Sequence, residues 1–365
     1  MLLKTLGAAL RQPLPHFQRQ QIAKKSWRRV VQYTLYPIRY QTTAAMSQRQ
    51  SQPVDTGLTS SATFLVLSVT PSEGSIRAVC RALSSIPDMT KNVSIRDVNA
   101  NLTCVVGIGS GVWDALTGGL PRPAELHPFP EVRGAKKTAV STPGDILLHF
   151  RCERRDMCFE LERQLMDKLG DAVRLEDQTV GFRYFDARDL LGFVDGTANP
   201  VGAAAVSDAV MIAESDTGID ATAVGGSYVV VQKYLHDLKG WKALSTEQQE
   251  AIIGRTKLDN VELEDAEDGQ QAAHKTLATI EDAAGEEYAV LRDNMPFGSP
   301  STGEFGTYFI AYTRHLWVVE KMMERMFIGH PPGLHDRILD FSTPVTGCTF
   351  FAPSQDALEA LGDDD

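Results

Sequence analysis

The chain has 365 residues, 43% of them hydrophobic, enough to bury one large core or two joined ones. Net charge is −11, yet the first 45 residues hold eight Lys or Arg and no acid, so the remainder stands at −19. An acidic body argues against a nucleic-acid partner, which needs a basic face to neutralise phosphates, and no apolar run is long enough to span a bilayer.

Residues 1–58 read as a basic head followed by a polar lead-in, SQRQSQPVDTGL (47–58), both left out of the fold as disordered. The head is rich in Arg, Gln and Thr and lacks the apolar middle of a secretory signal. It suits a mitochondrial-type transit peptide or sequence upstream of a true start at Met46. The first addresses the chain to an organelle; the second leaves it in the cytoplasm.

From there, ATFLVLSVT (62–70) reads as a buried strand and SEGSIRAVCRAL (72–83) as a helix opened by Ser72. GIGSGVW (107–113) is a glycine turn without the rest of a dinucleotide fingerprint. DILLHFRC (145–152) leads into helical DMCFELERQLMDKLG. After GFVDGTANP (192–200) and an Ala-rich stretch, SYVVVQKYL (227–235) is again strand-like and HDLKGWKAL follows it. Ser245 caps a helix over STEQQEAIIG, and DNVELEDAEDGQQ (259–271) is an exposed acidic loop. GTYFIAYT (306–313) then leads into HLWVVEKMMERMFIG. The strand-helix pairs recur, with Phe64 and Tyr228 164 positions apart and Leu147 and Phe309 162 apart. Two similar units predict an α+β fold of duplicated ferredoxin-like (βαββαβ) halves, of the dimeric α+β barrel type. The halves are set at 59–200 and 201–355, followed by an acidic end, 356–365.

The chemistry-bearing residues are few. Asp195 stands between Gly192 and Gly196, where a sharp turn lets backbone approach a flat ligand and an acid face a cavity. Taken alone, an Asp-Gly turn at a strand end explains the same residues. Of eight histidines, His274 in AAHKTLATI is the best axial-ligand candidate; His149 lies within a strand and His236 begins a helix after one. No HExxH, GxSxG or P-loop is present. The five cysteines, Cys80, Cys104, Cys152, Cys158 and Cys348, form no CxxC, which suits buried thiols in a reducing compartment. One ligating His, one cavity-facing Asp and the Arg of LRDNMPFG fit haem chemistry, and the missing CxxCH makes that haem non-covalent.

GFVDGTANP, VVVQKYLHDL, IIGRTKLDN, HKTLATI, LRDNMPFG and DFSTPVTGCTFFAP occur in an order and spacing that resemble the dye-decolourising peroxidases, in their compact bacterial-type branch, from about Ser60 to Pro353. The resemblance implies the duplicated ferredoxin-like fold and one non-covalent haem b per chain. It implies Asp195 as distal acid, Arg292 as distal arginine and Asn294 as distal asparagine. His274 becomes the axial ligand of the haem iron, Asp336 the acceptor of its other ring N–H, and Arg255 a propionate partner, with Gly196 and Thr197 against the cofactor. Hydrogen peroxide and small one-electron reductants, phenols or dyes, are the implied reactants, and a homo-oligomer the implied assembly. A carboxylate in place of a distal histidine predicts acid-shifted activity. Trp113, Trp241 and Trp317 read first as core packing, with electron relay the other use. Two other readings are a haem-handling protein (binding, storage or iron release), which needs His274 but not Asp195 with Arg292, and a scaffold without cofactor.

Overall fold

In the computed structural model, which describes residues 50–216 and 222–362, the apolar runs become strands of a single antiparallel sheet. The strands are β1 (Ser61–Val69), β2 (Thr103–Ile108), β3 (Val132–Arg133), β4 (Thr138–Ala139), β5 (Ile146–Cys152), β6 (Val173–Phe182), β7 (Ser227–His236), β8 (Leu291–Arg292), β9 (Met295–Ser299), β10 (Glu304–Thr313), β11 (Ser342–Pro344) and β12 (Cys348–Ala352). The spatial order is β6-β1-β5-β2-β12-β7-β10-β8, with β9 on β10, β11 on β7 and the β3–β4 hairpin apart. Counted within its own half, each set of four has the order 4-1-3-2, so the duplication is in the topology as well as the sequence. The halves meet where Phe351 of β12 pairs with Ile108 of β2.

Helices cover one face. Glu73–Ser84 and Arg155–Leu169 bring Val79, Leu83, Leu161 and Leu165 onto Leu65, Leu67 and Val106, and Leu316–Phe327 brings Val319 and Met322 into the same core. Ser72 caps the first of these through the N–H of Ser75, and Ser245 with Gln248 closes a capping box on Thr246–Ile253, as their spacing predicts. The other face turns inward: Phe64, Val66, Leu147, Val229, Val231, Tyr308, Ile310 and Tyr312 form a second core. The sheet curls so far that β6 lies on β9, where a Cβ at Gly181 would stand 2.4 Å from that of Met295.

The alternation corrects the repeat. Phe64 faces the inner core and Tyr228 the helices, and Leu147 faces inward while Phe309 packs outward. An offset of 164 or 162 therefore joins opposite faces, and a one-residue slip restores them. Apolar content alone does not separate the two registers, because both faces of these strands are buried.

The lead-in is a second correction. Gln52 and Val54 are buried, because polar groups there are satisfied by main chain and not by water. The Gln52 side chain donates to the carbonyls of Val106 and Pro353 (both 2.9 Å) and accepts the Val106 N–H (2.8 Å), bridging the two halves. Arg151 collects the carbonyls of Pro53, Val54 and Thr56. The acidic end also packs in part, through Leu358 of the helix Gln355–Glu359. Trp113 and Trp241 are core residues, but Trp317 is 39% exposed against Tyr288. None of the five cysteines is in a disulfide. No helix of the described residues is long and apolar enough to cross a membrane. The basic head, with its transit-peptide and Met46 readings, lies outside the described residues. Gln52→Ala removes three hydrogen bonds at the seam and should cost about 2–4 kcal/mol, read as a lower urea midpoint at unchanged m-value.

Candidate active site

GFVDGTANP is a run of tight turns. Asp189 and Phe193 hold one another twice: the Asp189 N–H donates to the Phe193 carbonyl (2.9 Å), and the Phe193 N–H donates to the Asp189 side-chain Oδ1 (2.9 Å). Gly192 and Gly196 sit at φ +95° and +75°, a region where a side chain is strained, and a Cβ at Gly192 would meet Lys257 Cε at 2.6 Å. Arg188 pins the turn by donating to the carbonyls of Gly192, Lys257 and Leu258. The turns hold Asp195 by its N–H on the Ala187 carbonyl (2.9 Å), and its Oδ1 accepts from Gly196 N (2.7 Å) and Asn294 Nδ2 (3.2 Å).

Arg292 reaches the same place from β8, a two-residue strand. The Asn199 amide supplies what a neighbouring strand would: its Oδ1 accepts the Arg292 N–H (2.9 Å) and its Nδ2 donates to the Arg292 carbonyl (2.7 Å). Arg292 Nε is buried without a hydrogen-bond partner, and burial holds the guanidinium pKa below its usual value against the opposing charges of Asp195 and Glu287. Asp195, Arg292, Asn294, Gly196, Arg183 and Tyr184 line one cleft. A larger cavity between the lead-in and the helices Ile86–Ser94 and Gln355–Glu359 contains none of these residues.

His274 opens the one-turn helix His274–Leu277. Its Nδ1 donates to Asp336 Oδ2 at 2.6 Å, and the other oxygen of the fully buried Asp336 accepts the Ile338 N–H (3.0 Å). The neutral ring is thereby fixed with its lone pair on Nε2. Burial opposes a charge on this imidazole although 28% of it is exposed; the Asp336 charge and hydrogen bond outweigh that and raise its pKa. Arg292 and Asp195 are both near enough for their charges to act on it. Arg255 is engaged within its own loop, on Asn260 and on Glu262 (2.9 Å), and Asn260 in turn donates to Thr197 (3.0 Å). The structure thus gathers Asp195, Gly196, Arg292 and Asn294 at the cleft, sets His274 on Asp336, and links Arg255 to Thr197 through Asn260. Asn199, within the quoted motif but not singled out from sequence, is the residue reasoning missed; an amide seven residues past a turn-forming Gly carries no signal that it will serve as a strand.

Two ferredoxin-like halves thus frame a cleft that holds an acid, a guanidinium and an amide, with an imidazole set on a buried carboxylate. The pattern described as "Dyp-type peroxidase, N-terminal" matches residues 51–183, and "Dyp-type peroxidase, C-terminal" matches 186–357. The chain belongs to the Dyp-type peroxidase family. It is 52% identical over 298 residues to a dye-decolorizing peroxidase of Brevibacterium linens, covering 82% of this chain and 79% of that one. It superposes on DyPB from Rhodococcus jostii RHA1 with a TM-score of 0.81 at 48% identity, covering 86% of this chain and 98% of that chain. An R244L variant of the same DypB, solved in complex with heme, matches with a TM-score of 0.79 at 48% identity over 84% and 97% of the two chains.

Two outcomes follow from the turn and its clamp. Burial, then the Asp195 charge, push the Asp189 carboxyl up to about 7 against the N–H groups of Phe193, Gly192 and Leu191. Its folded pKa exceeds the unfolded value of about 3.9, so the folded chain binds the extra proton and stability falls as pH rises from about 4 to about 7. Asp189→Asn should flatten that slope in denaturation midpoints taken across the window. Asn199→Ala should slow the reaction with peroxide by about 10–100-fold through a displaced Arg292, leaving the absorbance spectrum of the resting haem protein unchanged.

Proposed function

We propose that this chain reduces hydrogen peroxide at a haem held by His274 and oxidises one-electron donors such as phenols and dyes, with Asp195, Arg292 and Asn294 as the peroxide-handling residues. The observation that carries this reading is that Asp195 and Arg292 line one cleft, with the Arg292 Nε buried and unpartnered, a donor suited to an anionic oxygen. The donor set fits haem: a neutral imidazole with one nitrogen fixed on a buried carboxylate would hold the iron through the other with raised basicity. Bound haem supplies the one-electron chemistry.

The chain's own residues do the rest. Asp195, its Oδ1 already held by Gly196 and Asn294, takes the proton from the near oxygen of peroxide and delivers it to the far one, which leaves as water. Arg292 stabilises the negative charge that develops as the O–O bond breaks, without reorganising, because Asn199 fixes its main chain. Gly196, which lines the cleft, and Thr197 beside it would contact the bound cofactor. Arg255 is a propionate partner only if it exchanges its contact with Glu262. The −19 body favours cationic donors over anionic dyes at low salt. A homo-oligomer, and a cytoplasmic site for a chain started at Met46, complete the proposal. The haem-handling reading needs His274 and Asp336 alone and gives Arg292 nothing to do.

The test is the absorbance spectrum of the full haem-loaded chain before and after one equivalent of hydrogen peroxide. The proposal expects a rapid spectral change, loss of the resting spectrum in His274→Ala, and a slowing of about 10²–10³-fold in Arg292→Ala. Haem binding with no response to peroxide would support haem handling instead.

A further inference from the structure

The inner core holds a polar run that the peroxide chemistry above does not use. Tyr312 of β10 and His149 of β5 are both fully buried, and the Tyr312 hydroxyl lies 2.8 Å from His149 Nδ1. His149 Nε2 faces Asp293 Oδ2 at 3.8 Å, and the same oxygen accepts from Arg151 NH1 at 3.1 Å. Asp293 sits between Arg292 and Asn294, and Tyr312 pairs with Leu291, next to Arg292, across the β10–β8 ladder. The run therefore starts one residue behind the cleft.

From this geometry we infer that Tyr312, with His149 as its proton acceptor, is a redox site that holds one of the two oxidising equivalents taken from peroxide. The inference rests on the peroxidase reading. Reducing hydrogen peroxide to two waters consumes two electrons and two protons. One electron comes from Tyr312: its O–H bond breaks, the electron passes to the peroxide-oxidised site, and the proton moves to His149 Nδ1. A neutral phenoxyl and an imidazolium result. A one-electron donor of the phenol class later returns the electron and gives its own proton to solvent, while Tyr312 takes its proton back from His149.

Three features make the pair competent. Burial, and secondarily the Arg151 charge, hold His149 well below its usual pKa, so the imidazole is neutral and its acceptor nitrogen vacant. The carboxylate of Asp293 favours the Nε2–H tautomer, which turns the Nδ1 lone pair to the phenol, and it then balances the imidazolium. The ring is also shielded from solvent, stacked in a series in which His149 lies 4.6 Å from Phe64 and Phe64 lies 4.1 Å from Tyr308. The other buried tyrosines lack a base: Tyr308 has no hydrogen-bond partner, Tyr234 donates to the Gln232 amide oxygen, and Tyr228 accepts the Glu125 N–H.

The experiment is freeze-quench electron paramagnetic resonance of the full haem-loaded chain mixed with one equivalent of hydrogen peroxide and no donor. A tyrosyl signal that narrows with ring-deuterated tyrosine is expected in the wild type. It should be lost in Tyr312→Phe and in His149→Phe, and retained in Tyr308→Phe. Where a variant fails to fold, 3-fluorotyrosine placed at position 312 keeps the ring and should split the signal by fluorine coupling. A signal that survives Tyr312→Phe, lacks that splitting, or never forms although peroxide changes the absorbance spectrum would overturn this inference alone. No absorbance change with peroxide would overturn the peroxidase reading and this inference with it.

Discussion

The ion pair between Arg151 and Asp293, wholly out of water, constrains the rest of the molecule. Arg151 belongs to β5 of the first half, whereas Asp293 lies in the second half between Arg292 and Asn294, both lining the cleft. Two charges withdrawn from solvent tolerate little displacement, because each is costly to bury without the other. The pair therefore fixes how far β8 stands from β5, and with it where Arg292 and Asn294 emerge. Arg151 also donates through both terminal nitrogens to carbonyls of the lead-in, whose end, Leu58, lines the same cleft with Thr59. One guanidinium thus joins three segments far apart in sequence.

Against that constraint the glycines of GFVDGTANP have a specific task. Asp195 approaches Asn294 from the seam between the halves, and its position is set by turn geometry where no regular element is available. Positive φ at Gly192 and Gly196 is the local means; Asn199 on Arg292 is the distant one. Carboxylate and guanidinium are thus placed by different segments, the first held through Asn294 and the second through the Asn199 clamp on its main chain, an arrangement fixed before any ligand arrives.

Much of this is legible in the chain. Helix starts at Ser72 and Ser245 follow from side chains that cap only their own backbone, a matter of three residues. Asp195 and His274 stand out by their setting, an acid flanked by two glycines and a histidine between an acidic loop and an apolar run, whereas Asp336 stands out only through the family resemblance. What was not legible depends on long-range partners. Arg151 in DILLHFRC looks like the end of an exposed strand, and only the fold brings Asp293 to it, 142 residues on. Gln52 reads as one more polar residue of a loose lead-in, because its satisfaction by Val106 and Pro353 leaves no local trace. The repeat was visible, but its register was not: with both faces buried, apolar content cannot tell inward from outward.

Two imidazoles, half-buried His274 and fully buried His149, show how one side-chain type is set to two uses by a carboxylate's distance. Asp336 accepts directly from His274 Nδ1 at 2.6 Å, and that contact overcomes burial and raises the ring's basicity. Asp293 stands 3.8 Å from His149 Nε2 and is already engaged by Arg151, so burial prevails and His149 stays neutral. The difference follows from competition for one carboxylate: where a guanidinium takes it, the imidazole is left as an acceptor; where nothing does, the imidazole becomes a strong donor through one nitrogen and a strong ligand through the other. Electrostatic spacing of about an ångström thus separates a residue suited to hold a metal from one suited to receive a proton.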